Sequence, residues 1–291
     1  MRSDIRGIHH IGIVTRDLER LEEVYTALGF TLSPRSRHML APRPGADPVP
    51  GCTANRCALF GDSSIELLGI VDEDAPDPWR TKAIADEYEG FRLLNLETGD
   101  AEATDRRLTS AGLRTSGVLA LEREVHTPQG TRTVRARAAH LAPGTTPEGY
   151  IGVAQHLTRE HVHQTRYLTH RNTVSGIASI LIVVADAEFD AVCDRYTRIL
   201  GTGATQEGPI GVLDAGTARL HVVRVSDVDA VLPGETRPAP SYFAAVTVSV
   251  SDLVAARTAA EAAGVETRSI PGGGFFVSAR DACTGLFFTS P

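Results

Sequence analysis

The sequence has few cysteines, no excess of basic charge and no long apolar run. Each of these absences argues against one class of protein. Its four cysteines (Cys52, Cys57, Cys193 and Cys283) form no CxxC pair, so we expect them to be reduced and buried. The net charge of −7 provides no electrostatic basis for binding nucleic acid. The longest apolar runs are only as long as strands, so none predicts a membrane span. The first residues, MRSDIRG, lack the apolar core of a signal peptide, and we therefore expect a cytoplasmic protein.

What the sequence does contain is a unit of one strand followed by one helix, first seen at 7–30. The β-branched residues of 8–14 predict a strand, and Asp17 predicts the N-cap of a helix. Apolar residues then recur at helical spacing until Gly29, which suits the residue that follows a helix because glycine accepts positive φ.

The same unit returns three times. In three of the four copies the glycine follows the aspartate cap at the same distance, which indicates an internal repeat rather than chance. The later copies lie at 91–113, 177–201 and 243–265, with caps at Asp100, Asp186 and Asp252.

The strands that follow each copy complete four βαβββ modules and predict an α+β fold. One module is too small to bury both faces of its sheet, so we expect the modules to pair into two domains with about eight strands each. A length of 291 residues suits two domains. We place them at 1–160 and 174–291, joined by the polar, basic linker 157–173. Strand residues that point inward should line a cleft in each domain.

Within the first module the pattern predicts three further strands. These are a strand at 31–36 and the two strands of a hairpin that turns near 61–62. A loop rich in proline and glycine, 41–51, lies before the hairpin and could cover a site. The acidic connector 72–89 follows, with a short helix predicted at 79–88.

Two consecutive histidines, His9 and His10, lie inside the first strand. Because strand residues alternate between the two faces of a sheet, we expect only one of the two side chains to face the interior. His9 is interpreted as a hydrogen-bonded core residue.

The chain resembles the vicinal oxygen chelate superfamily, which includes glyoxalase I, bleomycin-resistance proteins and extradiol ring-cleaving dioxygenases. The resemblance rests on the paired modules, on HHIGIVTRDLERLEEVYTALGF and on the strand SSIELLGI. The segments TANRCALFGDSSIELLGI and QHLTREHVHQTRYLTHRN resemble its two-domain glyoxalase-like branch. The resemblance implies two glyoxalase-like domains, with metal ligands on the first and last strands of paired modules.

Carried over to this sequence, that pattern implies His10 and Glu66 as metal ligands in the first module. Leu93 stands at the position of His10 in the second module, so one expected ligand is missing. We therefore assign His156, on the last strand of that module, as the third ligand. Two histidines and one carboxylate suit Fe(II), Mn(II) or Zn(II) and leave positions open for substrate oxygens. Glu66 is also the candidate catalytic residue.

Several other polar residues have two interpretations. His38 and Asn55 are candidates for binding substrate. His161, His163 and His170 lie in the polar linker, where we expect solvated side chains, although one of them could act as an acid or base at the cleft mouth. Arg159 and Glu160 are expected to be surface charges.

The second domain does not repeat the ligand pattern. Ala178 and Ser179 replace the two histidines, Ala245 takes the corresponding place in the fourth module, and only His221 falls at the position of Glu66. We therefore expect one metal site per chain and a degenerate second domain.

These observations favour a metal-dependent enzyme of the vicinal oxygen chelate type that acts on a small oxygenated metabolite. Lyase or isomerase chemistry of the glyoxalase kind and dioxygenase chemistry are both left open. The alternative is a non-catalytic protein that sequesters a drug or metabolite. We expect a small-molecule substrate, neither nucleic acid nor a membrane as partner, and leave self-association into a homodimer open.

Overall fold

The computed structural model describes residues 3–40 and 49–291, which form two eight-stranded sheets with helices packed against them. The first sheet contains β1 (Ile5–Thr15), β2 (Ser36–Leu40), β3 (Val49–Leu59), β4 (Ser64–Ile70), β5 (Gly90–Thr98), β6 (Leu119–Thr127), β7 (Gly130–His140) and β8 (Tyr150–His156). The second contains β9 (Val174–Val184), β10 (Ala204–Glu207), β11 (Ile210–Ala215), β12 (Ala218–Arg224), β13 (Tyr242–Val250), β14 (Thr267–Ser269), β15 (Phe275–Val277) and β16 (Gly285–Thr289). The helices are α1 (Leu18–Ala27), α2 (Thr81–Glu87), α3 (Ala101–Ser110), α4 (Arg159–Val162), α5 (Phe189–Leu200), α6 (Leu253–Ala262) and α7 (Ala279–Ala282).

The two sheets share one topology. The first has the strand order β2-β3-β4-β1-β5-β8-β7-β6, and the second repeats it as β10-β11-β12-β9-β13-β16-β15-β14. The first strands of the two modules, β1 and β5, pair antiparallel at the centre, and each pairs in parallel with the last strand of its own module. The predicted α+β fold of four βαβββ modules is thus confirmed.

Helix starts follow the predicted caps in three of the four modules. The side chain of Asp17 accepts a hydrogen bond from the Arg20 backbone N–H at 3.0 Å, and Asp100 and Asp252 make the same kind of bond at 2.9 Å. The prediction for Asp186 is wrong. It lies in a short 3-10 turn before α5, and its carboxylate accepts from the Ser226 backbone N–H instead.

Two local predictions differ from the structure near β2. The segment 31–36 was predicted as a strand, yet β2 begins only at Ser36. Pro34 has no N–H to give to a ladder, and the carbonyl of Ser33 accepts from the Arg56 side chain at 2.7 Å. Of the predicted loop 41–51, residues 41–48 lie outside the described residues and 49–51 begin β3.

A β-bulge recurs near the start of the first strand of every module. In β1, Ile8 pairs with Leu96 and His10 pairs with Asn95, so His9 has no partner across the ladder. The same register shifts leave Arg92, Ala178 and Ala244 without partners in the other modules. Because a bulge places two consecutive residues opposite one, both can turn to the same face. His9 and His10 therefore both face the concave side of the first sheet, and the prediction that only one faces inward is wrong.

One hydrophobic core is shared by both domains. It contains side chains from both sheets together with α1, α3, α5 and α6. The rings of Phe91 and Phe243 lie 4.7 Å apart between the sheets, and the Tyr25 hydroxyl donates to the carbonyl of Ala282 at 3.2 Å. No helix in the described part of the chain combines the length and apolarity needed to cross a membrane.

The connector between paired modules fills one end of each concave face. In the first domain Ala85 and Ile84 of α2 pack against Val14 and Leu68, and in the second Val228 and Leu232 pack against the corresponding strands. The other end of the first concave face is polar. We call this polar end the first cup, and the corresponding end of the second domain the second cup.

Candidate functional site

Seven strands supply the side chains of the first cup. Beyond the bulge, every second residue along a strand faces the concave side. β1, β3, β4, β5, β7 and β8 therefore all contribute side chains to the cup. The edge strand β2 adds one more histidine. The cup residues are His9, His10, His38, Asn55, Glu66, Asn95, Glu97, His140 and His156.

At the centre of the cup His10 and Glu66 face each other. The His10 Nε2 and Glu66 Oε2 atoms are 3.7 Å apart, with 22% and 13% of the respective side chains exposed. Asn55 donates to Glu66 Oε1 at 2.5 Å, and His38 Nε2 lies 3.9 Å from the same oxygen. The structure thus brings together His10, Glu66, His38 and Asn55, four of the five residues that the sequence analysis selected.

His156, the fifth, lies behind His9. The two rings are stacked with centroids 4.3 Å apart, and the edge of His163 covers His156 from another side at 5.5 Å. Burial, followed by the nearby His163 and Arg159, lowers the pKa of His156 to about 3. Its Nδ1 atom is buried without a hydrogen-bond partner. The assignment of His156 as a direct ligand stays a prediction.

Two further polar residues occupy the place where the family pattern would put an acid in the second module. That place is Gly152, which pairs with Asn95 as Glu66 pairs with Gly12. A Cβ atom at Gly152 would collide with Asn95 Oδ1 and would lie 2.7 Å from His140 Nδ1. Asn95 and His140 therefore fill the space that a glutamate side chain would need.

The sequence analysis missed Asn95 and His140 as cup residues. Asn95 Nδ2 lies 3.0 Å from His10 Nε2, and His140 Nδ1 is buried with no partner. Asn95 could have been found from alternation along β5, since it is two residues beyond Leu93. His140 gave no such signal, because it lies at the end of a strand whose register only the structure fixes.

The cup favours neutral histidines. Burial lowers the pKa of His10 and of His38, and the carboxylate of Glu66 opposes the shift in both. Burial also lowers the pKa of His140. Neutral imidazole is the form that binds a metal ion or accepts a proton, so these rings are ready for either role near neutral pH.

The donor set fits a divalent cation in part. His10 Nε2 and Glu66 Oε2 are 3.7 Å apart, close enough that both side chains would hold the same divalent ion. The amide of Asn95 and the unpartnered Nδ1 of His140 add donors on the facing side. Among residues 3–40 and 49–291, however, no three His, Cys, Asp or Glu side chains are arranged as a ready metal site.

The linker histidines are more ordered than the sequence suggested. His170 is buried, and its ring joins the Thr31 backbone N–H at 3.0 Å to the Leu59 carbonyl at 2.9 Å. His163 Nδ1 lies 2.6 Å from the Phe60 carbonyl, and His161 Nδ1 lies 3.2 Å from that of Thr133. The expectation of solvated side chains is therefore wrong, since the rings tie the linker to the first sheet.

The second cup lacks the corresponding pair. His221 pairs across the ladder with Leu181, which corresponds to the position of Glu66 beside Gly12. Ser179 stands at the position of His10, and its hydroxyl donates to Thr247 at 2.9 Å. Ala178 stands at the position of His9, and in the fourth module Ala244 and Ala245 stand at the positions of His9 and His10. No chelating pair results.

Comparison with protein families places the chain. A family model described as a glyoxalase-like domain matches residues 8–200, which is more than half of the sequence. The chain therefore belongs to the glyoxalase-like domain family, and its fold is that of the vicinal oxygen chelate superfamily. No protein with a curated description matches the sequence.

Several solved structures share the fold across almost the whole chain. A hypothetical protein from Staphylococcus aureus aligns with a TM-score of 0.63 and 13% identity, covering 98% of this chain and 99% of that one. A mutant of 4-hydroxymandelate synthase from Streptomyces coelicolor gives 0.58 and 11%, covering 98% and 92%. The Mn(II)-bound glyoxalase from Novosphingobium aromaticivorans gives 0.56 and 12%, covering 99% and 83%. At such identities these likenesses concern the fold alone.

Proposed function

We propose that the protein is a metal-dependent enzyme of the vicinal oxygen chelate type, which acts on a small oxygenated metabolite in the first cup. The observation that carries the proposal is the approach of His10 Nε2 to Glu66 Oε2 at 3.7 Å. These two side chains come from the strands on which the family pattern places its ligands. The Mn(II) in the related glyoxalase structure supports the choice of a divalent ion.

His10 and Glu66 would hold Fe, Mn or Zn, and a third ligand would come from Asn95 or His140, or from His156 behind His9. Lewis-acid polarisation of two adjacent substrate oxygens is the chemistry that an ion in this position supplies. Glu66 is the candidate catalytic residue, because its Oε2 faces His10 while Asn55 holds its Oε1 at 2.5 Å.

His140 is suited to exchange a proton with a bound molecule. Its Nδ1 atom is buried and unpaired, and burial keeps the ring neutral by lowering its pKa. A neutral ring with a free lone pair can accept a proton from the substrate and return it. His38, held by the Thr53 hydroxyl at 2.8 Å, is oriented to contact the same molecule.

An adjoining cavity suits the body of a small substrate. It has a volume of about 300 Å³ and is lined by Trp79, Arg92 and Tyr150 among others. The Trp79 ring meets His38 edge-on at 5.5 Å, and the Tyr150 ring lies 5.3 Å from His140, so the cavity borders the cup. This volume is at the lower limit of ligand pockets and favours a small molecule.

The test starts with the metal content of protein purified without chelators, measured by elemental analysis. We expect one equivalent of a divalent ion, together with turnover of either an α-oxo hemithioacetal or a catechol. Turnover should stop with EDTA and return with the ion. The two substrates separate glyoxalase-like from dioxygenase chemistry. His221→Ala in the second cup is the matched control and should leave both readouts unchanged.

A non-catalytic binding protein is the second candidate. The observation that favours it is the lack, in the described residues, of a third ligand already in place beside His10 and Glu66. A binder should contain no ion, turn over neither substrate, and still give saturable binding of an oxygenated aromatic compound by calorimetry. That combination of results would replace the enzyme proposal.

The proposal also places the protein in the cytoplasm, with a small molecule as its partner and neither nucleic acid nor a membrane. The four cysteines, all free, and the net charge of −7 support this placement. A homodimer remains open and would be measured by sedimentation.

A further inference from the structure

We propose that His9 and Glu97 form a relay behind His10, which fixes the tautomer of the His10 ring and turns the lone pair of Nε2 toward the cup. The inference rests on the proposed function, because it specifies how this chain would make His10 a ligand or a proton acceptor. Both are positioning residues, since they act only through His10.

The relay is a continuous series of polar atoms across the first cup. Asn95 Nδ2 lies 3.0 Å from His10 Nε2, and His10 Nδ1 lies 2.7 Å from His9 Nδ1. On the far side of the His9 ring, Nε2 lies 3.8 Å from Glu97 Oε2. The other oxygen of Glu97 forms an ion pair with Arg159 Nη2 at 2.6 Å. Arg159 therefore contacts a cup residue and is not the surface charge expected from the sequence.

Hydrogen-bond accounting gives the relay one direction. An amide nitrogen can only donate, so Nε2 of His10 accepts from Asn95 and the proton of the neutral ring is on Nδ1. Two nitrogens 2.7 Å apart share a single proton, which makes Nδ1 of His9 the acceptor. The proton of His9 is then on Nε2, and it points at a carboxylate that can accept it.

Two orphaned atoms support this assignment. His9 Nε2 and Glu97 Oε2 are both buried, and neither has a hydrogen-bond partner. Leaving such a buried group unpaired is unfavourable, so a small rotation that brings the two atoms together is favoured. A rotation of the Glu97 carboxylate would close this gap and leave the His9 ring stacked on His156.

The relay decides between two states of the cup. With the proton on Nδ1, the lone pair of His10 Nε2 accepts from Asn95 and becomes available to an ion or a substrate that displaces this amide. With the proton on Nε2, His10 would donate toward Glu66, whose Oε2 is 3.7 Å away, and the two residues would satisfy each other. A carboxylate behind a histidine also raises the basicity of the ring and hence its strength as a ligand.

The same bulge in the other modules carries no relay. Arg92 and Leu93 occupy the positions of His9 and His10 in the second module, and Ala178 and Ser179 occupy them in the third. The paired nitrogens therefore belong to the first module alone among the described residues. The pair occurs in the module that contains the candidate ligand His10, as expected if His9 serves to position His10.

The test is nitrogen NMR of the histidine rings in metal-free protein, which reads the tautomer of His10 directly. Wild type is expected to carry the proton on Nδ1. His9→Phe, which keeps a ring stacked on His156, and Glu97→Gln should each shift the population toward the Nε2–H form. In parallel, their affinity for Mn(II) should fall about 10–100-fold. Glu160→Gln, an exposed carboxylate nearby, is the matched control and should change neither readout.

An Nε2–H form of His10 in wild type would overturn the relay, and so would an unchanged tautomer in both variants. The wild-type spectrum alone decides the first point, even if a variant does not fold. Because the tautomer is read without metal, a protein with the predicted tautomer that binds no ion would refute the proposed function and leave the relay standing.

Discussion

The Nδ1 atoms of His9 and His10 lie 2.7 Å apart, although the two residues are consecutive in one strand. In a regular strand their side chains would point to opposite faces of the sheet, too far apart to bond. The bulge opposite Leu96 and Asn95 removes this separation and directs two imidazoles into one cup. The first domain thereby gains a histidine pair at the position where the family pattern expects a single ligand.

We expect His10→Ala and Glu66→Gln each to lower metal occupancy sharply. Both substitutions remove one of the two donor atoms that lie 3.7 Å apart. Elemental analysis of each purified variant measures the loss, and circular dichroism checks that the fold is intact. If both variants contained as much metal as wild type, the metal site would not be at His10 and Glu66.

The protein should bind one metal ion per chain rather than two. The second cup has Ala178, Ser179 and Ala245 at the bulge positions, and none of these side chains is a useful metal ligand. Calorimetric titration of metal-free protein gives the stoichiometry. Two equivalent tight sites would show that the second domain is not degenerate.

His156→Ala should weaken metal binding about 10–100-fold if His156 acts only by supporting His9, and by more if it is a direct ligand. His156→Phe separates the two roles, because phenylalanine retains the ring that stacks on His9 at 4.3 Å but has no donor atom. If His156 only supports His9, His156→Phe should bind the metal nearly as well as wild type. An equally large loss in both variants would identify His156 as a ligand.

The stability of the metal-free protein should fall as the pH drops below 6.5. Burial lowers the pKa of His156 from 6.5 to about 3, so between these values the unfolded chain binds the proton that the folded chain excludes. Above pH 6.5 His156 is neutral in both states and does not reduce the free energy of unfolding. By about pH 5 its protonation in the unfolded chain lowers that free energy by roughly 2 kcal/mol. Urea unfolding at several pH values measures the slope. His156→Phe should flatten it, and an identical slope in the variant would assign the pH dependence to other groups.

Glu148→Gln should destabilise the protein by roughly 3 kcal/mol. Its carboxylate is fully buried and accepts two hydrogen bonds from Arg195 Nη2, at 2.8 and 2.9 Å, between the two domains. The substitution leaves the largely buried guanidinium without an opposite charge and with one acceptor oxygen instead of two. Thermal unfolding measures the loss, and the double variant with Arg195→Met should recover part of it. A double variant no more stable than Glu148→Gln would argue against this origin.

Local signals made most of the fold predictable. Aspartate caps and closing glycines act within one turn of helix, so they could be read in three modules without knowledge of the partner strands. In the third module the prediction of Asp186 as the N-cap of the helix was wrong, because additional residues allow a 3-10 turn before α5. Within the site, His10 and Glu66 were predictable because they match the strand positions that the family resemblance implies, and the structure brings them to 3.7 Å.

The remaining part of the site depends on pairing between distant strands. The bulge at His9 is visible only against Leu96 and Asn95, which lie in another module. His140 becomes a neighbour of Asn95 because both fill the space above Gly152. Such relationships are set by sheet register and by the absence of a side chain, and neither is encoded in the residues nearby in the sequence.

The hydrophobic core that joins the two sheets has a consequence for dissecting the protein. A chain cut in the linker would uncover Phe91 on one half and Phe243 on the other, together with the surface of α1 that meets Ala282. Each half would then expose a large apolar surface, and we expect both halves to aggregate when expressed alone. The second domain therefore covers an apolar face of the first domain and helps to keep that domain folded.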